Sequence, residues 1–118
     1  MDCVTYARHC YMKALGITID NTCTKVQQNT GNRGGTRIDN IADLQPGDIL
    51  CWSADSSTAD PTRCTHVGIY VGAGTVDGKE YKTGVFIESS RGAGKVRYWA
   101  FQKATYYTKR FMNAWRMF

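Results

Sequence analysis

Three side chains of this 118-residue chain have the types needed for nucleophilic attack on a carbonyl carbon: Cys3, His66 and Glu88. A cysteine attacks as its thiolate, which is favoured where positive charge or unpaired N–H groups lie close by. Cys3 opens a segment, residues 3–15, in which Val4, Ala7, Tyr11, Ala14 and Leu15 recur at helical spacing, and Gly16 supplies the stop. The spacing predicts a helix with Cys3 at its N-terminus, where free N–H groups and the macrodipole stabilise negative charge. Taken alone, the plainer reading of Cys3 is a helix-start residue that only packs.

A thiol nucleophile needs a base within hydrogen-bond reach, and the chain offers His9 and His66. His9 is six residues beyond Cys3 on the same predicted helix, which turns it to another face and carries it too far along the axis. His66 begins the run His66-Val67-Gly68-Ile69-Tyr70-Val71, a predicted strand. Alternation sets His66, Gly68 and Tyr70 on one face and Val67, Ile69 and Val71 on the other, and Gly68 leaves room beside the imidazole for a close neighbour such as a helix end. The base in turn needs a group accepting from its second ring nitrogen. Glu88 lies mid-strand in Val85-Phe86-Ile87-Glu88-Ser89, where burying an unpaired carboxylate would be costly. It shares a face with Phe86 and Ser90, so it reaches His66 if the two strands pair. There it would stabilise the imidazolium of a thiolate–imidazolium pair. A solvent-facing strand glutamate is the alternative.

These residues must be positioned by the elements around them. A second short helix is predicted near Cys23–Thr30, capped by Asp20 or Thr22 and ended by Gly31, followed by a loop at Asn32–Thr36. Leu44-Gln45-Pro46-Gly47-Asp48 reads as a turn into the strand Ile49–Trp52, and a polar stretch runs from Ser53 to Arg63. The remainder reads as a β-meander: His66–Val71, a loop from Gly72 to Gly84, Val85–Ser89, Lys95–Trp99, and a last strand near Tyr106–Phe111. Helices first and antiparallel strands afterwards predict an α+β fold, with N-terminal helices packed on an antiparallel sheet of about five strands. With 42% hydrophobic and 21% charged residues, 1–118 reads as a single domain with one core.

Several function classes drop out. No run approaches the ~20 apolar residues of a membrane-spanning helix, and Met1-Asp2-Cys3-Val4 does not read as a signal peptide. Gly72-Ala73-Gly74 follows a strand without a helix after it, and Ser89 stands where Gly94-Lys95 would need a first P-loop glycine, so neither is a phosphate cradle. The five cysteines (Cys3, Cys10, Cys23, Cys51, Cys64) form no CxxC pair and fit no usual zinc spacing with His66. No metal and no cofactor are therefore expected, and Cys10 and Cys51 read as buried reduced thiols.

The net charge is +5, and the residues from Ser89 onward hold seven basic side chains and no acid: Arg91, Lys95, Arg97, Lys103, Lys109, Arg110 and Arg116. Such a segment could face an anionic polymer. Its interleaved aromatics (Tyr98, Trp99, Phe101, Tyr106, Tyr107, Phe111, Trp115) are more simply the core face of a half-buried sheet, and nucleic acid is not the expected partner.

Three motifs, in order, resemble the NlpC/P60 cysteine peptidases of bacterial cell walls. Asp2-Cys3-Val4-Thr5-Tyr6 is similar to the family's Asp-Cys-Ser-Gly-Phe nucleophile motif, and Leu44-Gln45-Pro46-Gly47-Asp48-Ile49-Leu50 to its Leu-Gln-Pro-Gly-Asp-Leu turn. Thr65-His66-Val67-Gly68-Ile69-Tyr70-Val71-Gly72 is similar to its His-Val-Gly-Ile-Tyr strand, and Tyr107–Arg116 resembles its closing strand. The resemblance implies a papain-like fold, Cys3 as nucleophile and His66 as general base and acid. It further implies an acyl-enzyme hydrolysed by water, and a substrate among peptidoglycan stem peptides, commonly cut between D-γ-glutamate and a diamino acid. Asp2 matches the aspartate that holds the free amine of the stem peptide. Cys before His in the chain argues against the permuted, lipid-acting branch.

The chain departs from the pattern in four places. Glu88 stands where the family usually has His, sometimes Asn or Gln. The Gly72–Gly84 loop is longer, Val4-Thr5 replace Ser-Gly, and the family's Tyr-x-Trp-Gly-Gly-like segment before the nucleophile has no counterpart. The last point leads to the expectation of an N-terminally shortened domain or part of a longer chain. It also makes a catalytically impaired module that binds peptidoglycan or a partner protein the alternative to an enzyme. Action on the cell wall implies secretion, or delivery by a phage or mobile element, and the basic C-terminal third would then meet an anionic envelope.

Overall fold

A computed structural model describes Ala7, Cys10, Lys13 and residues 35–53, 64–90, 95–103 and 105–118. Its frame is one antiparallel sheet of β1 (Thr36–Ile38), β2 (Ile49–Trp52), β3 (His66–Val76), β4 (Lys79–Ser90), β5 (Lys95–Ala100) and β6 (Phe111–Arg116), in the spatial order β1-β6-β2-β3-β4-β5. The sheet thus has six strands rather than about five, and β6 enters between β1 and β2 instead of extending the meander. The sixth strand is β1, with Thr36 and Arg37 exposed and only Ile38 buried. Three residues with one apolar position carry no readable period, and pairing with β6 makes the strand.

All four residues of β2 are buried, as a strand covered on both faces requires. Ile49 and Cys51 pack with Ala7, Cys64 and Val67. Leu50 and Trp52 pack on the opposite side with Ile38, Tyr70, Phe86, Phe101, Tyr107 and Ala114. The rings of Trp52, Phe86, Phe101 and Tyr107 lie 4.9–5.9 Å apart in tilted and edge-on pairs, the geometry that ring quadrupoles prefer.

Two further expectations are corrected. The segment Gly72–Gly84 is not a loop: β3 and β4 continue as a hairpin to the turn Asp77-Gly78, both at positive φ (50° and 79°). Asp-Gly is the dipeptide that a two-residue hairpin turn favours. Gly72 and Gly74, which suggested a loop, sit at register shifts inside the hairpin. Nor is the aromatic segment before Phe111 a strand, because Thr105–Arg110 is a helix and the strand follows it. Its aromatic residues favour strand by propensity, but helical geometry buries Tyr107 in the core and places Lys109 and Arg110 in the last turn, where the dipole favours cations.

Among the described residues the chain is mostly strand, so N-terminal helices packed on the sheet are seen only in fragments. Ala7, Cys10 and Lys13 are helical and grade from buried to exposed. The rest of the predicted first helix, the second at Cys23–Thr30 and most of the polar Ser53–Arg63 stretch lie outside the described residues. No described helix is long and apolar enough to cross a membrane.

The Pro46-Gly47 turn aims β2. Gly47 takes φ 97°, and Asp48 N–H donates to the Gln45 carbonyl at 3.0 Å, as in a type II turn. The buried Asp48 carboxylate accepts from Gln45 N–H at 2.8 Å and from the Arg116 guanidinium at 2.9 and 2.8 Å. Arg116 is therefore committed to the fold, as are Lys103, paired with Asp77 at 3.0 Å, and Arg97, paired with Glu88 at 2.9 Å. Three of the seven basic residues of the C-terminal third are thus matched to acids from earlier in the chain.

Candidate active site

His66 is the first residue of β3 and lies across from Trp52 of β2, whose indole sits 5.4 Å from the imidazole at a 32° tilt. The indole is itself pinned, donating its N–H to the Tyr107 carbonyl at 2.9 Å. The backbone at His66 is held from the other side, since the buried Cys64 thiol donates to the His66 carbonyl at 3.3 Å. Gly68 serves a tighter fit than room for a helix end. A Cβ there would meet the Ile87 carbonyl at 2.8 Å and the Trp52 ring at 3.1 Å. Gly68→Ala is accordingly expected to force β3 from β4 or Trp52 from the imidazole, at a cost of roughly 1–3 kcal/mol, read by thermal or urea denaturation.

Glu88 is the residue of β4 opposite Gly68, and it points to the His66 side of the sheet with none of its side chain exposed. His66 Nε2 lies 3.0 Å from Glu88 Oε2. The other carboxylate oxygen, Oε1, accepts from Arg97 Nε at 2.9 Å and from the Tyr107 hydroxyl at 2.8 Å. Arg97 Nη2 also donates to the Tyr107 oxygen at 3.2 Å, which closes a triangle. Arg97 stands directly opposite Glu88 in the β4–β5 register, and its guanidinium lies 4.2 Å over the Trp99 ring.

Burial is the largest single influence on Glu88 and pushes its carboxyl up. The hydrogen bonds and charges of His66, Tyr107 and Arg97 together outweigh it and hold the group below its ordinary 4.5. Burial and the hydrogen bond to the carboxylate push the Tyr107 phenol up to about 12, so it remains a neutral donor. Arg97 is held above its ordinary value: burial opposes this, but the bonds to Tyr107 and Glu88 prevail. Because the carboxylate is ionised, His66 Nε2 carries the proton in that hydrogen bond, and the imidazole is oriented through this nitrogen.

The structure thus joins two of the residues singled out in the sequence, His66 and Glu88. Cys3, Asp2 and His9 lie outside the described residues. Arg97 and Tyr107 were read from sequence only as part of a basic, aromatic sheet. The signal that could have found them is Glu88 itself, because a carboxylate between Ile87 and Ser89 on a buried strand requires donors from its neighbours. Cys10 and Cys51 are free thiols, and among the described residues no three His, Cys, Asp or Glu side chains come together to hold a metal ion.

The sequence profile of the NlpC/P60 family matches residues 1–116. The NlpC/p60 domain of the peptidoglycan hydrolase SagA shares the fold, at 20% identity and TM-score 0.68, over 99% of this chain and 77% of that one. NlpC1 from Trichomonas vaginalis superimposes with TM-score 0.72 at 28% identity over 98% of this chain, and NlpC2 from the same organism with 0.68 at 29% over 98%. This chain spans 34% and 36% of those two. A comparison with curated proteins found no match.

Proposed function

From the premise that this chain belongs to the NlpC/P60 family, we propose that it is a cysteine peptidase cutting an amide bond in peptidoglycan stem peptides. The bond between D-γ-glutamate and a diamino acid is the first candidate. Cys3 attacks the carbonyl as its thiolate, and the leaving amine takes a proton from His66. Water, deprotonated by His66, then releases the acyl group. Glu88 holds Nε2, so the proton exchanged with Cys3, the amine and water travels through Nδ1. Asp2 accepts the free amine of the stem peptide.

The observation that carries this reading is the His66–Glu88 hydrogen bond at 3.0 Å, inside a closed network and at the start of a strand. The test is incubation with purified muropeptides under reducing conditions and mass spectrometry of the products, with Cys3→Ala as control. Stem-peptide cleavage that is lost in Cys3→Ala is expected. Absence of cleavage across several wall chemotypes overturns the enzyme reading and leaves a module that binds its partner without turnover.

A further inference from the structure

A carboxylate in hydrogen-bond contact with an imidazole normally makes the imidazole more basic. At an effective dielectric of about 20, an uncompensated charge at the 3.0 Å His66–Glu88 spacing would raise the imidazole by about four pKa units. A base held so firmly as imidazolium would form the thiolate pair readily but could not take a proton from water in deacylation. The surroundings of Glu88 address this conflict. Its two oxygens are divided, Oε2 toward His66 and Oε1 toward Arg97 and Tyr107. Among the described residues, the titratable and charged groups facing the carboxylate are His66 from β3, Arg97 from β5 and Tyr107 from the helix Thr105–Arg110.

We propose that Arg97 is a positioning residue that neutralises the buried Glu88 carboxylate, so that the Glu88–Arg97 pair acts on His66 as a polar but uncharged acceptor. The arrangement is fixed at every corner. Backbone register sets Arg97 opposite Glu88, the guanidinium lies over Trp99, and the Tyr107 hydroxyl takes Arg97 Nη2 while donating to Oε1. Tyr107 adds a donor without adding charge, so the triangle of Glu88, Arg97 and Tyr107 carries no net charge. The chain thereby places an acid where an uncharged acceptor also serves, without the basicity an isolated acid would impose.

This inference rests on His66 being the base, yet its test does not need turnover. The His66 imidazole is titrated by NMR in the full chain carrying Cys3→Ala, which removes coupling to the nucleophile. Arg97→Met is expected to raise the His66 pKa by about one unit or more, and Arg97→Lys to return it to within about 0.3 unit of the parent. Glu88→Gln combined with Arg97→Met, which removes both charges, is expected to stay within about half a unit. A folded Arg97→Met protein with an unchanged His66 pKa overturns the proposal. If that variant does not fold, the double variant decides alone, and a shift above about one unit in it is equally fatal. With Cys3 restored, the acid limb of kcat in Arg97→Met moves upward by the same amount while KM holds, which a purely structural arginine would not produce. Muropeptide cleavage failing in the wild type would sink the peptidase reading while leaving this electrostatic result standing.

Discussion

Cys3→Ala and His66→Ala are each expected to lower muropeptide turnover by roughly 10⁴-fold or more, and the double variant to lose little beyond either single one. In the proposed mechanism nucleophile and base act as one unit: without the base the thiol is weakly ionised, and without the thiol the base has nothing to activate. The loss should fall on kcat, because the proposed mechanism assigns stem-peptide binding to Asp2 rather than to the reacting atoms. A melting curve must accompany His66→Ala, since the imidazole lies beside Trp52 and part of any deficit could come from lost packing. A folded His66→Ala protein retaining a tenth or more of wild-type kcat would remove His66 from the mechanism.

The second large effect belongs to Glu88, and it is an effect on stability. Glu88→Ala removes the acceptor shared by His66, Arg97 and Tyr107 and strands a guanidinium whose position is fixed by β5 and Trp99. Breaking a fully buried ion pair from one side costs about 3–5 kcal/mol; with 26% of the Arg97 side chain exposed, solvent softens the loss toward the lower end of that range, still a large fraction of the roughly 5–15 kcal/mol that holds a small domain together. Urea denaturation at neutral pH should show the midpoint falling sharply. The wild type carries the same dependence as a function of pH. Because the folded Glu88 carboxyl sits below its ordinary 4.5, its contribution is complete above that value and is lost as pH falls through the lower folded value. Glu88→Gln, which has no carboxyl to titrate, should show a shallower loss as pH falls below the ordinary carboxyl value of 4.5. Parallel acid profiles for the two proteins would contradict the account.

What could be seen in the sequence follows how local the causes are. The strand Ile49–Trp52 and the start of β3 were legible because apolar runs and turn residues are short-range signals, and the pairing of His66 with Glu88 followed from alternation once two strands were set side by side. The helix Thr105–Arg110 was hidden, because Tyr106 and Tyr107 favour strand until the core claims Tyr107. β1 was hidden for a different reason, since its only reason to be a strand is a partner some eighty residues away. In the candidate site, the types at His66 and Glu88 announced their chemistry, whereas Arg97 looked like an outward-facing strand cation. Only the register of β4 against β5 turns it inward.

The insertion of β6 between β1 and β2 sets an order of assembly. As residues 36–103 are synthesised, β2 to β5 can pair into a meander, but β1 has no neighbour, Asp48 lacks Arg116, and Glu88 lacks the Tyr107 hydroxyl. One stretch, residues 105–116, supplies all three. Pairings so distant in the chain are slow to close, and until they do the buried acids Asp48 and Glu88 are short of the partners that make their burial tolerable. Folding of the nascent chain is therefore held back until that stretch emerges, and the same arrival that completes the sheet completes the network around Glu88 and His66. A half-made chain would have neither a finished core nor a fully hydrogen-bonded Glu88 beside His66.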